Sequence, residues 1–295
     1  MCVERVKRST KESMDFLENQ QKINRKITTV TKKAVVFLCV WLFLGVFQIF
    51  SFKSSVAEEY KWTKIGYFST WFNENEGGRC ENIKLAASLI DGVIIQPYGE
   101  FSFNQTVGKR TAKAGFKGAK IIQNGEYTIG IGGGVCQVST TLYNLALLSG
   151  LTVTEFHPHS LAVGYVKPSR DAMVSSSSDF KFYNPYSYSV KIKIKVKDGD
   201  LMAYAYGLNA PSGNKIEYKI FTRIVEEILP PEAEEREGEK DEILRKGKKG
   251  VKSESYLEKY EKGVLVSRKL LRKDVYLPIR EIIVKKVGDT TKKSS

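Results

Sequence analysis

Histidine is nearly absent from this chain of 295 residues: there are two, His157 and His159. Any chemistry that needs an imidazole is therefore confined to one short segment. Cysteine is almost as scarce. The four, at positions 2, 39, 80 and 136, lack the short ligand spacings of a zinc site and are too few for a disulfide framework. Negative charge is in deficit, with 33 acidic against 47 basic residues and a net charge of +14. The basic residues are scattered through every segment, and no helix-turn-helix, zinc-finger or ribonucleoprotein signature accompanies them, which argues against a nucleic-acid partner. Anionic lipid and anionic wall polymers outside a bacterial membrane fit the charge better. Nucleotide motifs are missing too. The run GIGGG at 130–134 is not followed by Lys-Ser or Lys-Thr, and Val135 stands where Gly-x-Gly-x-x-Gly requires its last glycine.

One long apolar run is present. Residues 34–52 carry no charge, and only Gly45, Gln48 and Ser51 interrupt their apolar character. That length suits a helix across ~30 Å of hydrocarbon. The preceding Arg5, Lys7, Arg8, Lys11, Lys22, Arg25, Lys26, Lys32 and Lys33 keep the N-terminus cytoplasmic by the positive-inside rule. Cleavage at Ser55-Val56-Ala57 is the rival reading, but the long leader favours a retained anchor.

Beyond the anchor, apolar spacing predicts a helix over 81–91, stopped by Gly92, and short strands over 93–95, 101–103 and 120–123, the last turned by Asn124-Gly125. A second helix runs from the glycine loop to Gly150. Val190, Ile192, Ile194 and Val196 alternate with lysines, as in a half-buried strand with a solvated or polyanion-binding face. An acidic stretch at 229–242 reads as a linker, and 256–260, 264–266 and 281–287 as short strands of a small separable module that begins near Pro231.

Cys136 follows three glycines and opens a helix. Glycines allow φ > 0 and close approach to a ligand, and free N–H groups in such a loop favour negative charge. The helix N-terminus adds unpaired donors and positive dipole character, which shifts a thiol toward thiolate. The same donors can hold an oxyanion. The plainer reading is a small buried apolar cysteine in a tight turn, and residues alone leave the two open, as they leave open a Cys80–Cys136 disulfide. In an extended segment His157 and His159 face one side, and either can act as acid–base partner to the thiol. Asp171 and Asp179 are the nearest downstream carboxylates that can orient an imidazole.

The run GIGGGVCQVSTTLYNLALLSGL, followed by HPHS, VGYVKPSRDA and DFKFYN, resembles the signature of the VanW-like family. The pieces FSTWF, NIKLAASLIDG, GEFSFNQTVGKRT and AGF extend the likeness over about residues 66–196, and EKGVLVSRKLL with DVYLPIREIIVKKVG resembles the five-glycine extracellular module. The resemblance implies a cysteine L,D-transpeptidase of peptidoglycan, with Cys136, His159 and Asp171 as catalytic residues and no cofactor. Gly132, Gly133 and Gly134 would contribute the oxyanion loop, with the N–H groups of residues 134–136 as the oxyanion donors. Gln137, Ser139 and Thr140 would cap the helix or contact the substrate, and Ser160 would contact the substrate. Ser169 departs from the family's glycine two residues before Asp171, which puts the geometry of that loop in question. The alternative is a wall-binding protein without chemistry. The expected architecture is a basic cytoplasmic tail (1–33), a transmembrane anchor (34–52) and a linker (53–64). An α+β VanW-like domain (65–215) follows, then a β-rich module (216–288, including the linker 229–242) and a basic tail (289–295). Peptidoglycan stem peptides, glycan and the membrane are the expected partners.

Overall fold

The computed structural model describes residues 60–123, 125–211 and 216–286, together with helical stretches between residues 18 and 38. The chain divides into two units, Met1–Glu59 and Tyr60–Ser295. In the first, the described residues are helical and exposed. Residues 35–38 of the expected anchor are among them, while 34 and 39–52 lie outside the described residues, as do 53–59, Asn124 and the tail from 287. Among the described residues no helix is long and apolar enough to cross a membrane.

The second unit opens with β1 (Trp62–Trp71), which begins inside the expected linker because Trp62, Thr63 and Lys64 already pair with Leu208, Gly207 and Tyr206. Four antiparallel strands form the central sheet: β1, then Asp200–Leu208 (β9), Val190–Lys197 (β8) and Ile94–Ile95 (β2), in that order. The predicted alternation holds along β8, where Val190, Ile192 and Ile194 are buried. Its lysine face is engaged locally: Lys193 bonds Asp91 at 2.8 Å and the Lys191 ammonium sits 4.0 Å above the Trp62 ring.

On the sheet pack α1 (Gly78–Ile90) and the buried helix Val135–Leu148, called α3 below. Ala203 and Ala205 on β9 are fully buried, and their small side chains let α3 lie close. Val138, Leu142 and Leu145 are buried on α3, each stabilising the fold by ~1.5–3 kcal/mol. Between the helices come β3 (Glu100–Ser102), α2 (Phe103–Val107) and a hairpin of β4 (Gly118–Gln123) and β5 (Glu126–Ile131). Phe103, expected in a strand, opens α2 because Ser102 Oγ caps it by accepting the Gln105 N–H at 3.1 Å. A small sheet joins β3, β7 (Lys181–Tyr183) and β6 (Thr152–Glu155).

The C-terminal strands are longer than the sequence predicts. Ile216–Ile228 (β10), Gly250–Glu261 (β13) and Val264–Tyr276 (β14) form one antiparallel sheet. Lys262 and Gly263, at φ 52° and 83°, close the β13–β14 hairpin with the double positive φ of a tight two-residue turn. The acidic stretch is no free linker. Its Glu234–Gly238 (β11) pairs in parallel with Ile282–Lys286 (β15), which also pairs with Glu242–Arg245 (β12).

Candidate active site

The glycine loop is shaped by contact as much as by dihedral angle. Gly134 caps α3 at φ 102°, and a Cβ on Gly133 would lie 2.6 Å from the Lys120 carbonyl oxygen on the β4–β5 hairpin. Cys136 therefore sits in the first turn of α3, as predicted, half-buried, with Sγ donating to the Val174 carbonyl at 3.4 Å. The Val135 N–H is taken by the Gly132 carbonyl and the Gln137 N–H by the Gly134 carbonyl. Cys80 and Cys136 are both free, so the disulfide alternative falls; Cys80 is a buried apolar residue of α1.

The two histidines part company, because residues 157–159 are not a strand. His157 leaves for Glu155, whose carboxylate it meets at 3.0 Å and which also binds Lys181 at 2.9 Å. His159 turns inward and is buried. Its ring Nδ1 meets Asp171 Oδ2 at 2.7 Å, and its backbone N–H donates to the same oxygen at 2.8 Å. With Nδ1 bound to the carboxylate, Nε2 is the nitrogen left for the thiol. Burial pushes the Cys136 thiol up, but the hydrogen bond and charge of His159, with help from the Arg110 guanidinium, bring it below its ordinary value. Burial alone would lower His159, yet Asp171 and Cys136 raise it to about 9. Asp171, despite burial, is held at about 2 by His159 and Arg272. Asp179, the other candidate carboxylate, instead accepts from Ser102 Oγ at 2.5 Å and from the Asn104 N–H at 2.8 Å.

The polar face of α3 does different work from that expected. Ser139 Oγ donates to the Ala172 carbonyl at 2.6 Å, and Thr140 Oγ1 accepts the Ala172 N–H at 2.9 Å. Asn144 Nδ2 donates to the Arg170 carbonyl at 2.8 Å. Ser139 and Thr140 are fully buried and do not line the cleft; they tie the helix that carries Cys136 to the loop that carries Asp171. Ser160 lies outside the cleft, its carbonyl accepting the Leu277 N–H at 2.8 Å, and Gly132 is likewise not among the cleft's lining residues. Gln137 does line the cleft, held by Thr70 at 3.0 Å and Arg79 at 2.5 Å.

Cys136, His159, Gly133 and Gly134 open into a cavity of about 1180 Å³. Trp71, Tyr127 and Tyr165 line it with Arg79 and Arg110, two cations not expected as site residues although Arg110 lies in the run GEFSFNQTVGKRT. Arg110 is anchored by Asn104 Oδ1 at 2.7 Å and by the Gly108 and Ser175 carbonyls at 3.0 and 2.6 Å. Among the described residues no three His, Cys, Asp or Glu side chains converge as metal ligands.

Asp171 also reaches β14. Its Oδ1 accepts from Arg272 at 2.9 Å and from the Tyr276 hydroxyl, and its carbonyl accepts from Arg272 at 2.6 Å. Ser169, at φ 60°, donates its N–H to the Tyr276 hydroxyl at 2.8 Å and shares a hydrogen bond of 2.7 Å with Ser253. Two buried partners explain how serine keeps a left-handed conformation where glycine was expected. Spacing gave no hint of these contacts, because the partners lie about a hundred residues apart along the chain.

Comparison with known proteins finds two family matches, both within the second unit. Residues 78–206 match the family model described as VanW like protein, and residues 222–286 the one described as G5 domain. The chain is 42% identical over 144 residues to "Uncharacterized protein YoaR" of Bacillus subtilis, covering 48% of each chain. It is 35% identical over 78 residues to "Vancomycin B-type resistance protein VanW" of Enterococcus faecalis, covering 26% of this chain and 28% of that one. The chain thus spans about half the length, or less, of these curated relatives. Among solved structures, "IgA1 Protease G5 domain structure" is 22% identical and covers 26% of this chain and 98% of its own, with a TM-score of 0.17.

Proposed function

From a chain that carries a VanW-like domain over residues 78–206 and a G5 domain over residues 222–286, we propose an extracytoplasmic acyltransferase that cross-links peptidoglycan stem peptides through a thioester on Cys136. The observation that carries this reading is the relay from Cys136 to the His159 imidazole to Asp171, set at the N-terminus of α3 and opening into the cavity. The single-pass anchor over 34–52 and its outward orientation belong to this proposal.

The chemistry follows from the protonation states. A thiol drawn down beside an imidazole drawn up favours transfer of the thiol proton to His159, toward a thiolate–imidazolium pair. The thiolate attacks the carbonyl carbon of the third residue of a tetrapeptide stem, forming the C–S bond and a tetrahedral oxyanion. With the Val135 and Gln137 N–H groups committed to Gly132 and Gly134, the Gly134 and Cys136 N–H groups are the candidates for that oxyanion. Collapse breaks the C–N bond to the terminal D-alanine, and His159 gives its proton to the departing amine. An amine from a neighbouring stem then attacks the thioester, His159 takes the proton back, and the thiolate leaves. The reaction needs no cofactor. Arg79 and Arg110 suit a substrate that carries carboxylates, and the G5 domain would add a second weak contact to the wall.

Incubating the full chain with a tetrapeptide stem tests the reading by mass spectrometry. We expect an adduct on Cys136 equal to the stem acyl group without its terminal D-alanine, and none on Cys136→Ala. Stem binding by the wild type without any adduct would replace the enzyme with a wall-binding protein.

A further inference from the structure

We propose that Arg272 and Tyr276, on the last strand of the G5 domain's long sheet, are positioning residues for the Cys136–His159 pair, acting through Asp171. The cysteine site of the first domain is then complete only when the second is docked. This inference rests on the Cys-His-Asp reading above and extends it to a domain otherwise expected to serve as a wall-binding accessory.

The strand itself argues for the assignment. Along β14, Arg272, Asp274 and Tyr276 are buried while Lys273 and Val275 are exposed, so one face of the strand is turned inward. An inward face made of an arginine, an aspartate and a tyrosine is an expensive way to fill a core, and hydrophobic replacements commonly do as well or better for stability. This face is spent on one carboxylate. Asp171 Oδ1 takes Arg272 and the Tyr276 hydroxyl, and Oδ2 takes the His159 ring and backbone N–H groups. The carboxylate is gripped from both sides, so its plane, and with it the His159 ring, is fixed. Arg272 is in turn held by Asp274 at 2.6 Å, and its guanidinium stacks 4.8 Å from the Phe156 ring and 5.6 Å from the Tyr143 ring. Phe156 and Tyr143 belong to the first domain, so Arg272 cannot hold this position without it.

Charge gives the second argument. A thiolate, an imidazolium and Asp171 together are net negative in a poorly solvated site, and Arg272 with Asp274 adds an ion pair rather than a lone charge. Arg272 stands on the far side of Asp171 from His159 and keeps that carboxylate ionised. The proton therefore stays on the imidazole, and Nε2 remains directed to sulfur.

The rate of Cys136 alkylation by iodoacetamide against pH, read by mass spectrometry on the purified full chain, tests this without requiring turnover. Wild type should alkylate along an acid limb set by thiolate formation, lying well below that of an ordinary thiol, and stay reactive above it. Tyr276→Phe, which removes one hydroxyl, should move that limb to higher pH, with alkylation at pH 6 slower by about tenfold, the equivalent of about one pH unit. Arg272→Met removes a cation from a coupled cluster and should move the limb to higher pH as well. Ser253→Ala breaks the Ser169 contact between the domains but leaves Asp171 its four partners, and should keep the wild-type profile. If Tyr276→Phe folds with an unchanged thermal transition and an unchanged profile, β14 is only interdomain glue and the proposal fails. A wild type with a single ordinary thiol limb would instead sink the Cys-His-Asp reading.

Discussion

At the scale of single residues, the site depends on which nitrogen of one imidazole is occupied. His159 is buried with Nδ1 on Asp171, whereas His157 is half-exposed on Glu155 and Glu155 is already shared with Lys181. His159→Ala should therefore lower cross-linking by ~10²–10⁴-fold, the usual worth of a general acid–base group, and His157→Ala by little. Quantified dimer formation by each variant checks this, and equal losses would contradict it. The same residues govern stability against pH. His159, raised to about 9 from 6.5, contributes stability that is complete below pH 6.5 and lost as pH rises through about 9. Asp171, lowered to about 2 from 3.8, contributes above pH 3.8 and loses it as pH falls through about 2. Cys136 was legible in the sequence because a glycine run before a helix is a local pattern. Between His157 and His159 the residues alone left the choice open and only the resemblance pointed to His159, because the choice turns on which of two carboxylates each ring meets in space.

At the scale of elements, α3 and the long sheet carry the argument. Read along the chain, Ser139 and Thr140 cap the helix or contact the substrate; folded, they and Asn144 are hydrogen-bonded to residues 170–172 and fix Asp171 relative to Cys136. Polarity on a buried helix looks the same in sequence whether a ligand or a neighbouring backbone takes the bonds. The alternation of β8 was readable, yet β10 and the inward face of β14 were not, since their partners are set by long-range pairing. The strand pairing argues against a separable module cut at Pro231. Strand β10 pairs with β13 from Ile216↔Glu261 to Ile228↔Gly250, so the cut strips it of its neighbour. It also removes Arg272 and Tyr276 from Asp171, and breaking a buried charge pair costs ~3–5 kcal/mol, a large share of the ~5–15 kcal/mol that stabilises a domain. The fragment 60–231 should melt far below the 60–295 chain, or show no cooperative transition, by circular dichroism. Equal melting temperatures would restore the separable module.

At the scale of the whole molecule, the chain combines a cysteine site, a net charge of +14 and a second domain docked against the site's own carboxylate. The VanW-like part was legible because its motifs are long and ordered, and the second module from a shorter, less specific match, but their mutual dependence was not. The expected outward orientation predicts that protease added to intact spheroplasts digests the globular part, and full protection would reverse that topology. The central claim is covalent chemistry at Cys136. It is tested most directly by incubating the full chain with tetrapeptide-containing disaccharides and analysing the muropeptides by mass spectrometry. The account predicts cross-linked dimers from the wild type and from Cys80→Ala, with free D-alanine released in equal number, and none from Cys136→Ala. Dimers formed by the Cys136→Ala protein would contradict it.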